Sequence, residues 1–88
     1  MYLHIGGEEI IRKSSVIGIF DLDKTSQSHV TRGYLAAAEG AGQVVSAAED
    51  IPKSFVVTSE SVGGQTVYLS QMNTVTLARR NEDRMKLD

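Results

Sequence analysis

The chain of 88 residues contains no cysteine, one proline and two histidines. The missing cysteines exclude disulfides and thiolate zinc sites. His4 and His29 stand far apart with no local carboxylate pattern, so no metal or cofactor is implied. Charge of one sign is also scarce: nine Lys and Arg face eleven Asp and Glu, for a net charge of −2. A monomeric nucleic-acid-binding domain carries a basic excess that this chain lacks, although an oligomer can gather a few cations into one belt. No apolar run is long enough to span a membrane. The start, MYLHIGGEEI, lacks the basic opening and apolar stretch of a signal peptide. The expected location is the cytoplasm, with no membrane partner.

The length allows one domain. A domain of this size buries only a little over half the surface of its unfolded chain, so its core alone gives a thin stability margin. With disulfides and metal excluded, self-association is the remaining route to extra stability, and a homo-oligomer is expected.

Local patterns divide the chain into short elements. Residues 2–5 alternate, Leu3 and Ile5 against Tyr2 and His4, and end at Gly6-Gly7. Residues 9–12 form a second short strand. Residues 16–22 are almost wholly apolar, broken by Gly18. A strand apolar on both faces is expected to be central, or covered by a partner on its second face. A polar loop then leads to a helix capped by Ser26 or Ser28 and running to about Glu39. Val30, Tyr34, Ala37 and Ala38 form its expected apolar stripe, and Ala36, Ala37 and Ala38 suggest close packing on a sheet. Gly40 or Gly42 ends it.

Further on, residues 43–47 are a candidate strand. SFVVT (54–58) and TVYLS (66–70) read as an antiparallel hairpin around Gly63-Gly64. Asn73 is placed to cap a last short helix ending near Asn81, and residues 82–88 form a charged tail expected to fray. The predicted fold is α+β: one domain over residues 1–81, with a largely antiparallel sheet of five to six short strands, a central helix and a short C-terminal helix.

Catalytic signals are weak. No serine lies in a G-x-S-x-G elbow. His4 on its strand reads as a partly buried structural or interface residue, and His29 as an exposed residue at a helix start. Asp21-x-Asp23-Lys24-Thr25 follows a strand in the manner of phosphoryl-transfer aspartates, but the chain is too short for that fold and lacks the downstream lysine and acidic pair. The paired glycines make neither a Walker A loop nor a dinucleotide fingerprint, since Gly40 and Gly42 follow a helix rather than precede one. The expected protein is therefore not an enzyme. The cations Arg12, Lys13, Lys53, Arg79 and Arg80 are the candidate DNA-contacting residues, made continuous by assembly. The competing expectation is a module that binds another protein, favoured by the acidic balance and by the doubly apolar segment 16–22.

Three segments carry a family resemblance: MYLHIGGEEIIRKSSVIGIFDLD at the start, PKSFVVT (52–58) and VYLSQMNTVTLARR (67–80). In this order and spacing they resemble the Rem family of bacterial extracellular-matrix regulators, the RemB type in particular. The likeness runs from Met1 to about Arg80 and is thinnest over residues 24–50. It implies a role in switching on biofilm-matrix genes. The RemA-type branch implies a DNA-binding transcriptional activator that assembles into rings, with a fold likened to the LytTR type. That branch carries an arginine pair in the loop before the strand matching SFVVT. Here Asp50 and Ile51 replace the pair, and only Lys53 keeps a cation at the start of that strand. A further arginine of that branch corresponds to Ser15, with Arg12 and Lys13 just upstream.

Overall fold

The computed structural model describes residues 1–22, 29–60 and 63–86, the last five of these as backbone. The two serines proposed as helix caps, the residues after Leu22 in the aspartate motif, and residues 87–88 lie outside the described residues.

Among the described residues, eight strands and α-helices are arranged in three layers. Strands β1 (Tyr2–Gly6) and β2 (Glu9–Arg12) form an antiparallel hairpin. A 3₁₀ turn (Lys13–Ser15) leads into β3 (Val16–Asp21). Helix α1 (His29–Gly40) is followed by β4 (Val44–Ser46), β5 (Ser54–Ser59), β6 (Gln65–Ser70) and helix α2 (Thr74–Lys86). The second sheet has the order β3-β5-β6-β4. Pairings β3–β5 and β5–β6 are antiparallel, whereas β4 runs parallel to β6. Strands β3 and β4 are therefore parallel to each other, and α1 connects them across the two strands between, a split β-α-β arrangement. The α+β class and the mostly antiparallel pairing match the sequence reading. The strands divide between two sheets rather than one.

The four-stranded sheet separates two apolar clusters. On one face Val56 packs with Leu3, Ile5, Ile11, Ala47 and Leu77, joining the sheet to the β1–β2 hairpin and α2. On the other, Phe55, Val57 and Val67 pack with Ala38, Leu35 and Leu69 under α1. The alternation predicted for residues 2–5 holds: Leu3 and Ile5 are buried, while Tyr2 and His4 face solvent.

Buried serines lock the layers together. Ser70 Oγ donates to the Ile5 carbonyl at 2.5 Å and accepts from the Met72 amide at 3.1 Å. Ser54 Oγ donates to the Met72 carbonyl at 2.7 Å. The peptide groups at the β6–α2 corner, which would otherwise be desolvated without partners, are satisfied in this way. Glycine is required at the β1–β2 turn: Gly6 has φ +128°, and a Cβ there would lie 3.1 Å from the Ala47 carbonyl oxygen.

Three expectations change, and the choice of helix stop is resolved. Strand β3 is not central but lies at the sheet edge; the continuously buried strand is β5. Composition alone cannot separate these cases, because both strands are rich in β-branched residues and carry a Phe. The α1 stripe is rotated: Ala38 and Leu35 face the sheet, while Val30, Tyr34 and Ala37 are exposed. The helix ends through Gly42, at φ +72°, with Gln43 N–H donating to Ala38 O and Gly42 N–H to Glu39 O. That pair of bonds is the Schellman motif and selects Gly42 over Gly40 as the stop. Finally, α2 continues to Lys86 instead of stopping near Asn81, since no glycine or proline interrupts residues 82–86. Its start is as predicted: Asn73 Oδ1 accepts the Thr76 amide at 2.8 Å.

Candidate functional site

The five candidate cations do not form one patch on a single chain. Arg12 ends β2 and is exposed; Lys13 follows in the 3₁₀ turn, half-buried, its amide bonded to Met1 O. Lys53 is exposed immediately before β5, where its amide donates to Ser70 O and its carbonyl accepts from Leu22. Arg12 lies near the opposite end of β5, beside Ser59 and Glu60. Six residues of strand put Lys53 and Arg12 about 20 Å apart. Arg79 and Arg80 are exposed on α2. Arg80 also ties its helix to the hairpin, with Nη1 donating to His4 O at 3.3 Å and approaching Met72 Sδ at 3.7 Å. One chain therefore does not bring Lys53 to Arg12 and Lys13; a joint surface requires further copies.

The space around Arg12 is an open polar groove of about 450 Å³, bordered by Ser14, Ser15, Ser59, Glu60 and the Tyr68 phenol. Ser15 Oγ donates to Arg12 O at 2.8 Å, holding the turn closed. Burial pushes the Tyr68 phenol above its ordinary value, and the negative charges of Glu60 and Glu9 add to that push. The groove thus mixes one guanidinium with two nearby carboxylates, a poor field for an isolated phosphate.

The two histidines make short-range contacts. His4 Nε2 lies 2.9 Å from Gly7 O and braces its own hairpin turn; the side chain is exposed, not partly buried as expected. His29 Nδ1 lies 3.2 Å from Arg32 Nη2. Among the described residues, no group of three or more His, Asp or Glu side chains could hold a metal ion. No described helix is long and apolar enough to cross a membrane.

A second surface lies on the opposite side of the four-stranded sheet. Ile17 and Phe20 of β3 and Val30 and Tyr34 of α1 rim an apolar groove of about 330 Å³, floored by Phe55 and Val57. A bulge at Ile17 turns that side chain onto the same face as Phe20. The Phe20 ring stacks on Phe55 with centroids 5.1 Å apart and lies over Gly18, where a Cβ would meet it at 2.7 Å. Tyr34 is fixed by its hydroxyl, which donates to Gln65 Oε1 at 2.9 Å. Sequence reasoning identified Val30 and Tyr34 as apolar but assigned them to the core. The double-sided apolarity of segment 16–22 was the available sign of this surface.

No family model matches the chain. Over 88 residues it is 30% identical to the "Extracellular matrix regulatory protein B" of Bacillus subtilis (strain 168), an alignment spanning 100% of this chain and 99% of that protein. An identity of this level along the whole length places the chain in the RemB family of extracellular matrix regulatory proteins.

Proposed function

We propose that this chain is a small, non-enzymatic regulator of extracellular-matrix (biofilm) genes that works in the cytoplasm as a homo-oligomer associated with DNA. The full-length likeness to a matrix regulatory protein carries this reading. The placement of Arg12, Lys13, Lys53, Arg79 and Arg80 supports assembly as part of it. On one chain they are few, and Lys53 stands apart from Arg12 and Lys13, but repeated around an oligomer they form an interrupted belt that can follow phosphates. Contact is then mainly to the DNA backbone, which sets position rather than reads sequence.

The test is fluorescence anisotropy with duplex DNA across a salt series, using the assembled protein. Affinity should fall as salt rises, with a log–log slope of about −0.9 per phosphate neutralised. Lys53→Glu and Arg79→Glu should each weaken binding and flatten that slope by about one unit per cation contributed by each copy in contact. Absence of binding at low salt would remove DNA from the reading. A second reading, a module that binds another regulatory protein, is favoured by the uncovered apolar groove of β3 and α1. Capture of a protein partner in the absence of any DNA affinity would select it.

A further inference from the structure

We propose that a second copy of this chain docks on the outer edge of β3 and the apolar groove beside it, pairing β3 with its own counterpart across a two-fold axis. The inference rests on the reading that the protein works as an assembly, and it specifies the surface.

Among the described residues, strand β3 pairs with β5 on one side and with no strand on the other. An open edge is a template for another strand, and natural sheets blunt such edges with charged side chains, proline, bulges or extreme shortness. β3 is six residues long and reads VIGIFD, with no lysine or proline and its one charge at the last position. Its one bulge lies at Ile17, near its start, and leaves the pairing from Gly18 to Asp21 regular.

The groove beside this edge is exposed in a way unusual for such side chains: Ile17 is 57% accessible, Phe20 41%, Val30 82% and Tyr34 37%. Together they present on the order of 400 Å² of surface, at the scale of the largest apolar patch on an ordinary monomer.

The occupant is a second copy because the surface is complementary to itself. An antiparallel β3 from a two-fold partner supplies main-chain donors and acceptors to the open edge. The same strand brings its own Ile17 and Phe20 to the groove. Among the described residues, no charged side chain lines that groove. Two chains of net charge −2 therefore meet there with no like charges face to face among those residues. Two such patches remove about 800 Å² from water, and the paired main chains and flanking residues carry the total toward the roughly 1,200–2,000 Å² of a specific interface. The two four-stranded sheets become one continuous sheet, in which the β3 edge of each copy is paired.

The experiment is size exclusion with light scattering on the full chain over a range of concentrations, for wild type, Val30→Glu, Ile17→Lys and the control Val75→Glu. Val75 is similarly exposed but lies on α2, away from the groove. Circular dichroism checks the fold, and Val30→Glu, at an exposed helix position, decides if Ile17→Lys does not fold. Wild type should show a multiple of 9.5 kDa. Both groove variants should at least halve that mass, and Val75→Glu should leave it unchanged. An assembled wild type with unaltered groove variants overturns this surface and leaves the assembly reading standing. A wild type that is monomeric at every concentration overturns both.

Discussion

Ser70→Ala tests how the hairpin is held to the main sheet. Ser70 is completely buried, and its single hydroxyl serves two main-chain groups: it donates to Ile5 O at 2.5 Å and accepts from Met72 N–H at 3.1 Å. Alanine removes one oxygen and leaves a carbonyl and an amide without these partners. Each such orphan costs about 1–3 kcal/mol, so the expected loss is about 2–6 kcal/mol in all. A chain of this length has a stability of about 4–13 kcal/mol, which makes the loss a large fraction of the whole. The melting temperature should fall by roughly 10–30 °C. Ser54→Ala removes one bond, to Met72 O, and should cost about 1–2 kcal/mol. Ser46→Ala removes only a long, exposed contact of 3.4 Å and should change stability by less than about 0.5 kcal/mol. Urea unfolding followed by circular dichroism, at one fixed protomer concentration because association shifts apparent stability, would rank the three. A Ser70→Ala variant as stable as Ser46→Ala would refute the assignment of this hydroxyl as the link between the layers.

Other substitutions probe local features. Gly18→Ala places a Cβ 2.7 Å from the Phe20 ring, so the ring must leave its stack on Phe55; we expect a loss of about 1–3 kcal/mol, read from the urea midpoint, and a changed near-UV spectrum. Asn73→Ala removes the cap on Thr76 N–H and should cost about 1 kcal/mol, whereas Asn73→Ser should retain most of it. The Tyr68 phenol is held above 10.0 in the folded chain. Its unfolded form titrates near 10.0, so the neutral phenol's contribution is intact below that pH and is lost as pH rises through the folded value. An alkaline absorbance titration of wild type against Tyr68→Phe should show one of the three tyrosines ionising late; identical curves in shape would contradict the environment described for it.

Much of the secondary structure was legible in the sequence because its signals are local. SFVVT and TVYLS around Gly63-Gly64 specify a hairpin whatever surrounds it, since strand period and glycine turns act over a few residues. Asn73 caps α2 through a bond to a residue three positions away. The alternation of residues 2–5 fixes which side chains turn inward. The residues at both ends were also enough to indicate the family.

Tertiary structure decided the rest, because it depends on partners distant in the chain. Nothing local distinguishes the edge strand β3 from the central strand β5; that follows from which strands pair, and from α1 carrying the chain over β5 and β6 to a parallel β4. The same packing turned Leu35 and Ala38 toward the sheet and left Val30 and Tyr34 in solvent, since both sets satisfy a helical period. Ser54 and Ser70 looked like ordinary strand residues until the fold brought Ile5 and Met72 to their hydroxyls. The cations were visible from the start, but their separation on one chain was set by the length of β5. The sequence by itself determined the elements, the absence of cysteine chemistry and the kinship. The three-dimensional pairing of remote segments determined which apolar residues form the core and which remain for a partner.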